Sequence, residues 1–461
     1  MLKRVLVANR GEVALRVMAA CRELGVETVA VCSTADRRAL HAQAADRAVC
    51  IGPAPAERSY LDVAAIVEAA RLSGADAVHP GYGFLAESAD LAEACAARGI
   101  VFVGPPPAVL RLFGDKVAAR AAMRRAGLPV LPGAEVPVDA TAAVHDAAQS
   151  LGYPVIVKAR GGGGGRGMRI VPDAASLEPA WRTAQREAQS AFGDSRLYLE
   201  RYLAAARHIE FQVLVDGAGT SLSLGERECT IQRRHQKLLE ESPSPAVDEP
   251  TRRELGARIA RAARAVGYRN AGTFEFLRDE GGAFHFIEVN ARLQVEHPVT
   301  EMVTGVDIVK EQLRIAAGQE LPPGGGASAP RGHAIECRVN AEHPETFRPS
   351  PGTIAAFTLQ GGTGPGVRID TDLEAGGVVT PHYDSLVAKV VAHGRDRPEA
   401  IARMRRALTR TVIAGIDTTI PLHLRILSDP DFVAGRVSTA FLDRFASGPG
   451  TAPGLPAGRG G

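Results

Sequence analysis

Aromatic side chains are scarce, 5 % of 461 residues with a single Trp, which argues against an extended base-stacking surface for nucleic acid. Charge of one sign is not in excess: 54 Lys+Arg against 52 Asp+Glu leave a net charge of +2. That excludes a broad polyanion-binding face but leaves room for a local basic pocket. Cys21, Cys32, Cys50, Cys95, Cys229 and Cys337 form no C-x-x-C pair. Zinc-ribbon and disulfide-scaffold classes are thereby removed, and reduced, mostly buried thiols in a cytoplasmic protein are expected. No run approaches the roughly 18 uninterrupted apolar residues of a membrane span, and the apolar residues 5–8 ahead of Asn9 are too few for a signal-peptide core. What remains is ordinary globular material, 45 % hydrophobic and 23 % charged, long enough for about three packed units.

From residue 3 to about 114, short β-branched runs alternate with helical periodicity. VLVA leads into Ala14, Val17, Met18, Cys21 and Leu24 at helical spacing, closed by Gly25. ETVAVCS, DRAVCIG, ADAVHP and IVFVG repeat the strand signal, which predicts a doubly wound parallel α/β sheet. Its first loop, Asn9-Arg10-Gly11-Glu12, is not a G-x-G-x-x-G, so the dinucleotide fingerprint is missing where it would sit. A second region opens with a helix at Asp115 and Lys116; PVIVKA and MRIVP then read as two strands, and a helix over about 307–317 stops at Gly318. LPPGGGASAP (321–330) reads as a linker. Beyond it, strand-rich residues 331–395 and a helix near 397–414 predict a mixed α/β unit, and the Gly/Pro-rich end reads as a mobile tail.

The strongest chemical signal is KARGGGGGRGM (158–168). Five consecutive glycines reach backbone conformations closed to other residues and let N–H groups approach phosphate oxygens. Gly162, Gly164 and Gly167 satisfy G-x-G-x-x-G, but a strand-like run follows instead of a helix, and the G-K-[ST] of a P-loop is absent. The pattern predicts a glycine hairpin over phosphates, with Lys158 supplying charge from the incoming strand. The competing reading, a flexible surface loop, would be costly to order without a ligand.

In FIEVNARLQVEHP (286–298), Glu288, Asn290, Arg292, Gln294 and Glu296 hold every second position. In an extended chain all five share one face. Glu288 and Asn290 offer hard oxygen ligands for Mg²⁺, Glu275 in the preceding GTFEFL could complete the set, Arg292 suits an anion and Glu296 a base. The competing reading is a solvated strand face. In GERECTIQRRHQKLLEESP (225–243), Arg227, Arg233, Arg234, His235 and Lys237 fall within eleven positions and Glu240 and Glu241 follow. The compensated run reads as a pocket wall more than a nucleic-acid track, and Cys229 as a packed thiol. Arg338 alone reads as an ion-pair partner, His79 and Tyr82 as a structural turn.

Taken in order along about residues 1–446, ANRGE, HPGYGFLAES, GDK, KARGGGGGRGM, ERECTIQRRHQK, GTFEF, EVNARLQVEHPVTE and ECRVNAE resemble the biotin carboxylase family. The resemblance implies an N-terminal doubly wound parallel α/β domain (1–114), a central ATP-grasp domain (115–330) with a glycine-rich lid at about 131–203, a C-terminal mixed α/β domain (331–446) and a flexible tail (447–461). It implies a ligase that uses ATP, Mg²⁺ (or Mn²⁺) and bicarbonate to carboxylate N1 of biotin through carboxyphosphate. By position, Lys116 and Lys158 resemble the phosphate-binding lysines, Gly164 and Gly165 the lid, and Glu200, Arg201, Tyr202 and Leu203 the hinge that holds adenine. His208 and His235 resemble further nucleotide contacts, and Glu275, Glu288 and Asn290 the magnesium ligands. Lys237, Arg292, Gln294 and the backbone of Val295 resemble the bicarbonate cradle, Glu296 the base and Arg338 the group that stabilises the biotin enolate. Arg201 stands where the family usually has Lys, Arg160 where a small residue is usual, His382 where an aromatic is common, and GGTGPG (361–366) is unusual beside the biotin region.

None of the six methionines precedes a Lys, so the Ala-Met-Lys-Met segment that carries biotin is absent. The resemblance then implies a homodimeric subunit working with a separate biotin carboxyl carrier protein and carboxyltransferase subunits, as in acetyl-CoA carboxylases that supply malonyl-CoA for fatty acid synthesis. The alternative is the same activity serving another acyl-CoA, urea or guanidine carboxylase. Neither a nucleic-acid nor a membrane partner is expected. A different ATP-grasp ligase predicts an amine site in place of Arg338, and a nucleotide sensor predicts loss of Glu296 or Lys237; both residues are present.

Overall fold

The computed structural model describes residues 2–135, 141–161, 167–322, 329–359 and 363–445. The expected lid residues Gly164 and Gly165, part of the linker (323–328) and the tail over 447–461 lie outside the described residues. Among the described residues, no helix is long and apolar enough to cross a membrane.

The buried strand Arg4–Val7 forms the middle of a parallel sheet. Glu27–Ser33 and Arg47–Gly52 lie to one side of it, Ala77–His79 and Val101–Phe102 to the other. This is the doubly wound arrangement the alternating runs imply. Gly11, at φ 68°, opens the helix Gly11–Glu23 directly after the first strand. The helix buries Val13, Ala14, Val17, Met18 and Cys21, the face its periodicity marks.

A four-stranded antiparallel sheet follows, in the order Gly133–Glu135, Leu197–Arg201, Val155–Ala159, Arg169–Val171. The helix Leu177–Phe192 covers it, with Trp181 and Ala184 in the shared core. Lys158 and Glu200 thereby come from adjacent strands.

The largest sheet has eight strands: Phe284–Asn290, Asn270–Arg278, Arg207–Val215, Ser221–Arg233, Gln236–Ser242, His333–Asn340, Leu386–Gly394 and Val367–Thr371. It is antiparallel throughout and runs unbroken across residue 330, because Gln236–Ser242 pairs with His333–Asn340. Leu239, Ile335, Cys337, Val390 and Met404 share one core there, so the C-terminal strands complete a hydrophobic face that the preceding strands leave open. The expected helix near 397–414 is shorter, Arg397–Arg410. Residues Val412–Ala414 instead form a strand against Ala356–Thr358, as the β-branched Val412 and Ile413 favour.

Candidate active site

Sheet register builds the site first. Glu288, Glu275, Glu210 and Arg227 occupy directly opposed positions on four successive strands. Three carboxylates in a row repel one another unless cations are set among them. Arg227, fully buried, bonds Glu210 and also Gln212, Thr273 and Thr300 at 2.9–3.0 Å. His208 Nε2 lies 2.7 Å from Glu275, and Lys116 pairs with Glu288. Lys237 Nζ reaches Glu210 at 2.5 Å, Glu275 at 2.8 Å and Glu296 at 2.7 Å.

The alternating stripe is not one continuous strand. Strand Phe284–Asn290 ends at Asn290, residues 291–296 turn, and helix His297–Thr304 begins with Pro298 in its first turn. The turn forms because the Ala291 N–H donates to Glu87 Oε1 (2.9 Å) while Ala291 and Leu293 are buried. The five polar side chains still converge, through the turn. Arg292 donates to Asn290 Oδ1 (2.9 Å), Gln294 Oε1 (2.8 Å) and Glu87 Oε2 (3.2 Å), and Gln294 donates to Glu275 Oε1 at 3.1 Å. Glu296 lies between two cations, with Lys237 on Oε1 and Arg338 on Oε2 at 2.9 Å. Arg338 also donates to Glu240 Oε1 at 2.6 Å.

These contacts set the charge states. Burial alone would raise the Glu296 carboxyl, but Lys237, Arg338 and Arg227 outweigh it and hold the group well below the usual carboxylate range. Burial would lower Lys237, but Glu210, Glu275 and Glu296 keep it firmly protonated. Glu240 behaves oppositely: its burial outweighs Arg338 and pushes the carboxyl up to about 7. The arrangement therefore holds an ionised carboxylate between two fixed cations, with further cations toward Glu288.

Lys116 begins the helix Lys116–Arg125, which Asp115 caps. Lys158 Nζ lies 2.5 Å from the buried Glu200, whose carboxylate also takes Arg120. The Glu200 side chain is thus occupied inside the protein. The Arg201 and Tyr202 N–H groups donate to Pro132 and Pro154 carbonyls (3.0 and 3.1 Å); Arg201 is exposed, Tyr202 and Leu203 half-buried. Arg160 bonds Asp115 at 2.8 Å. His235 is exposed at the tight turn it forms with Arg234, both at positive φ. Glu275, Glu288 and Asn290 supply the hard oxygens that Mg²⁺ accepts, so the donor set fits that ion.

Cys229 is buried, its thiol pushed up chiefly by burial, as a packed thiol should be. His79 is fully buried and its Nδ1 accepts from the Gly81 N–H at 3.0 Å, consistent with a structural turn. Sequence reasoning missed Glu87, Glu210 and Glu240. Glu87 lies within HPGYGFLAES and Glu240 within the basic run's compensating pair, so both were visible as motif members. Glu210 had no signal except alternation with His208.

Comparison with known proteins shows similarity along nearly the whole chain. The biotin carboxylase N-terminal domain profile matches residues 1–110, that of the carbamoyl-phosphate synthase L chain ATP binding domain 115–323, and the biotin carboxylase C-terminal domain profile 336–444. The chain is 54 % identical over 446 residues to a biotin carboxylase of Allochromatium vinosum, covering 96 % of this chain and 99 % of the relative. It is 49 % identical to a pyruvate carboxylase subunit of Methanothermobacter thermautotrophicus, covering 97 % and 91 %. The Campylobacter jejuni biotin carboxylase–βγ-ATP complex superposes with a TM-score of 0.94 at 45 % identity, covering 96 % and 99 % of the two chains. The biotin carboxylase domain dimer of the Hydrogenobacter thermophilus 2-oxoglutarate carboxylase, in complex with MgADP, ADP and bicarbonate, superposes at 0.93 with 46 % identity, covering 96 % and 98 %. With these matches spread over nearly its whole length, the chain belongs to the biotin carboxylase family, the ATP-grasp ligases that carboxylate biotin at the expense of ATP.

Proposed function

We propose that Glu296 accepts the proton of bicarbonate while Lys237, Arg292, Gln294 and the Val295 backbone hold the anion, and that Lys116 and Lys158 hold ATP phosphates, with His208 and His235 as further nucleotide contacts. The observation that carries this reading is the clamp on Glu296 by Lys237 and Arg338, 2.7 and 2.9 Å from its two oxygens. Bicarbonate is a poor nucleophile, so a fixed base and fixed cations convert a rare encounter into an aligned one. The freed carbonate oxygen bonds to the γ-phosphorus as the bond to ADP breaks, giving carboxyphosphate. Its breakdown yields CO₂ and phosphate; the phosphate takes the N1 proton of biotin, Arg338 stabilises the oxyanion on the ureido oxygen, and N1 bonds to CO₂. Glu275, Glu288 and Asn290 would hold Mg²⁺, which would supply neutralisation of the phosphate charge. Residues Glu200, Arg201, Tyr202 and Leu203 are assigned to the adenine side, and Gly164 and Gly165 to the lid.

The division at 114, 330 and 446, a homodimer like the Hydrogenobacter neighbour, and a cytoplasmic location belong to the same proposal; all six cysteines being free and five of them buried supports the last. Biotin is proposed to arrive on a separate carrier protein, with carboxyltransferase partners, in an acetyl-CoA carboxylase. The name of the Allochromatium relative, biotin carboxylase, supports the half-reaction and names no acceptor, and the pyruvate and 2-oxoglutarate carboxylases among the relatives define the alternative acceptors.

The test is ADP release with Mg-ATP alone, with bicarbonate, and with bicarbonate plus free biotin or biotinylated carrier. A rate that rises with biotin or carrier only when bicarbonate is present supports the assignment. Indifference to both overturns it. Adding carboxyltransferase with acetyl-CoA, pyruvate or 2-oxoglutarate then identifies the acceptor.

A further inference from the structure

Lys389 is fully buried, on the strand Leu386–Gly394 directly opposite Arg338. Lysine is almost never fully buried without partners, because its charge is costly to remove from water. Its partners here come from distant parts of the chain. Nζ donates to the Val295 carbonyl at 3.0 Å, pairs with Glu12 Oε2 at 3.1 Å and stands 3.8 Å from Asp370. Glu12 also accepts from the Tyr82 hydroxyl, and the ammonium lies 5.7 Å from the centroid of the Tyr82 ring.

The contact to Val295 distinguishes this group from an ordinary buried ion pair. A salt bridge to Glu12 alone would be replaceable by apolar side chains of similar volume with little loss of stability. The backbone carbonyl belongs to the Val295–Glu296 peptide, in the turn that carries Arg292, Gln294 and Glu296. Two in-register residues on adjacent strands therefore grip the same turn: Arg338 holds the Glu296 carboxylate, and Lys389 holds the peptide from which that side chain springs. A turn has no ladder of its own to hold its peptides, so a fixed donor there restricts where the base can stand.

We propose that Lys389 is a positioning residue for bicarbonate activation, locking the Val295–Glu296 peptide while Glu12 and Asp370 neutralise its charge. This rests on the assignment of bicarbonate to the 292–296 turn. The ammonium touches neither nucleotide-side lysine, so its loss should displace the bicarbonate geometry and leave ATP binding in place.

The experiment measures KM for bicarbonate and for ATP in the full chain carrying Lys389→Met, Lys389→Arg or the double change Glu12→Gln with Lys389→Met. The double variant removes the ion pair as a unit, which avoids leaving Glu12 buried without its cation. The expected result in the Met variants is a bicarbonate KM raised by about tenfold or more, with ATP KM within about twofold and partial recovery in Lys389→Arg. A purely structural role predicts the reverse pattern: lower apparent kcat from loss of folded protein, with both KM values unmoved. That pattern in whichever variants fold overturns the proposal. Arg292→Ala is the control for the underlying assignment. If it leaves bicarbonate KM unchanged, the bicarbonate reading itself fails; if it raises bicarbonate KM and the Lys389 variants do not, only the role of Lys389 fails.

Discussion

Arg338 Nη2 lies 2.9 Å from Glu296 Oε2, across 42 residues of sequence. The contact joins the C-terminal strands of the large sheet to the turn that carries the proposed base. Replacing either residue should remove stabilisation of the reacting groups without touching the lysines near Glu288 and Glu200. Glu296→Gln and Arg338→Ala should each lower kcat for biotin carboxylation by about 10²–10³-fold, with ATP KM within about threefold. Steady-state kinetics with free biotin checks this, and a collapse of ATP affinity in either variant would count against the roles proposed.

Lys116 should behave in the opposite way. Its ammonium pairs with Glu288 at the end of the carboxylate row, and burial of the site leaves that carboxylate little other compensation. Lys116→Ala should raise ATP KM by about 10–100-fold, the worth of one charged hydrogen bond. Nucleotide titration read by ADP release decides it; an unchanged ATP KM would place Lys116 outside the nucleotide site.

Glu241 is a structural carboxylate whose titration shows in stability. Burial alone would raise its carboxyl, but the contacts to His333 and Arg397, each 2.7 Å away, hold it at about 2 instead of 4.5. With the folded value depressed, its contribution is fully present above about 4.5 and is lost as pH falls toward 2. That contribution is on the order of 3 kcal/mol. In urea unfolding between about pH 6 and 3, the stability gap between wild type and Glu241→Gln should narrow as pH drops. A gap constant across the range would show that the ion pair does not set it.

Arg227 gives a second stability prediction. It has no exposed surface and serves Glu210, Gln212, Thr273 and Thr300 at once. Arg227→Met should destabilise the fold by about 3–5 kcal/mol, because among the described residues Glu210 then keeps only Lys237 as a paired cation. Adding Glu210→Gln should recover part of that loss, and a double-mutant cycle in urea measures the coupling.

Much of the fold was legible in the sequence because its signals are local. The helix Gly11–Glu23 follows from the spacing of Ala14, Val17, Met18 and Cys21, and the parallel sheet from β-branched runs alternating with helices. The Glu288 and Asn290 pair was visible from alternation within a real strand. Extending that strand to Glu296 failed because the Glu87 carboxylate, far away in sequence, captures the Ala291 N–H and turns the chain. The end of the helix at Arg410 was missed for a related reason: the β-branched residues beyond it found a strand partner in Ala356–Thr358.

By itself, then, the sequence determined which chemical groups are present, their local periodicity, and the order of motifs that marks the biotin carboxylase family. Tertiary structure alone decided which groups meet. The row of Glu288, Glu275, Glu210 and Arg227 exists only in the register of four strands. Lys237 meets Glu296 across 59 residues, and Lys389 meets Val295 across 94. Register and burial are long-range properties, set by which hydrophobic faces close on one another, and they also set the charge states. The same residue type is held ionised between two cations at Glu296 and pushed toward neutrality at Glu240.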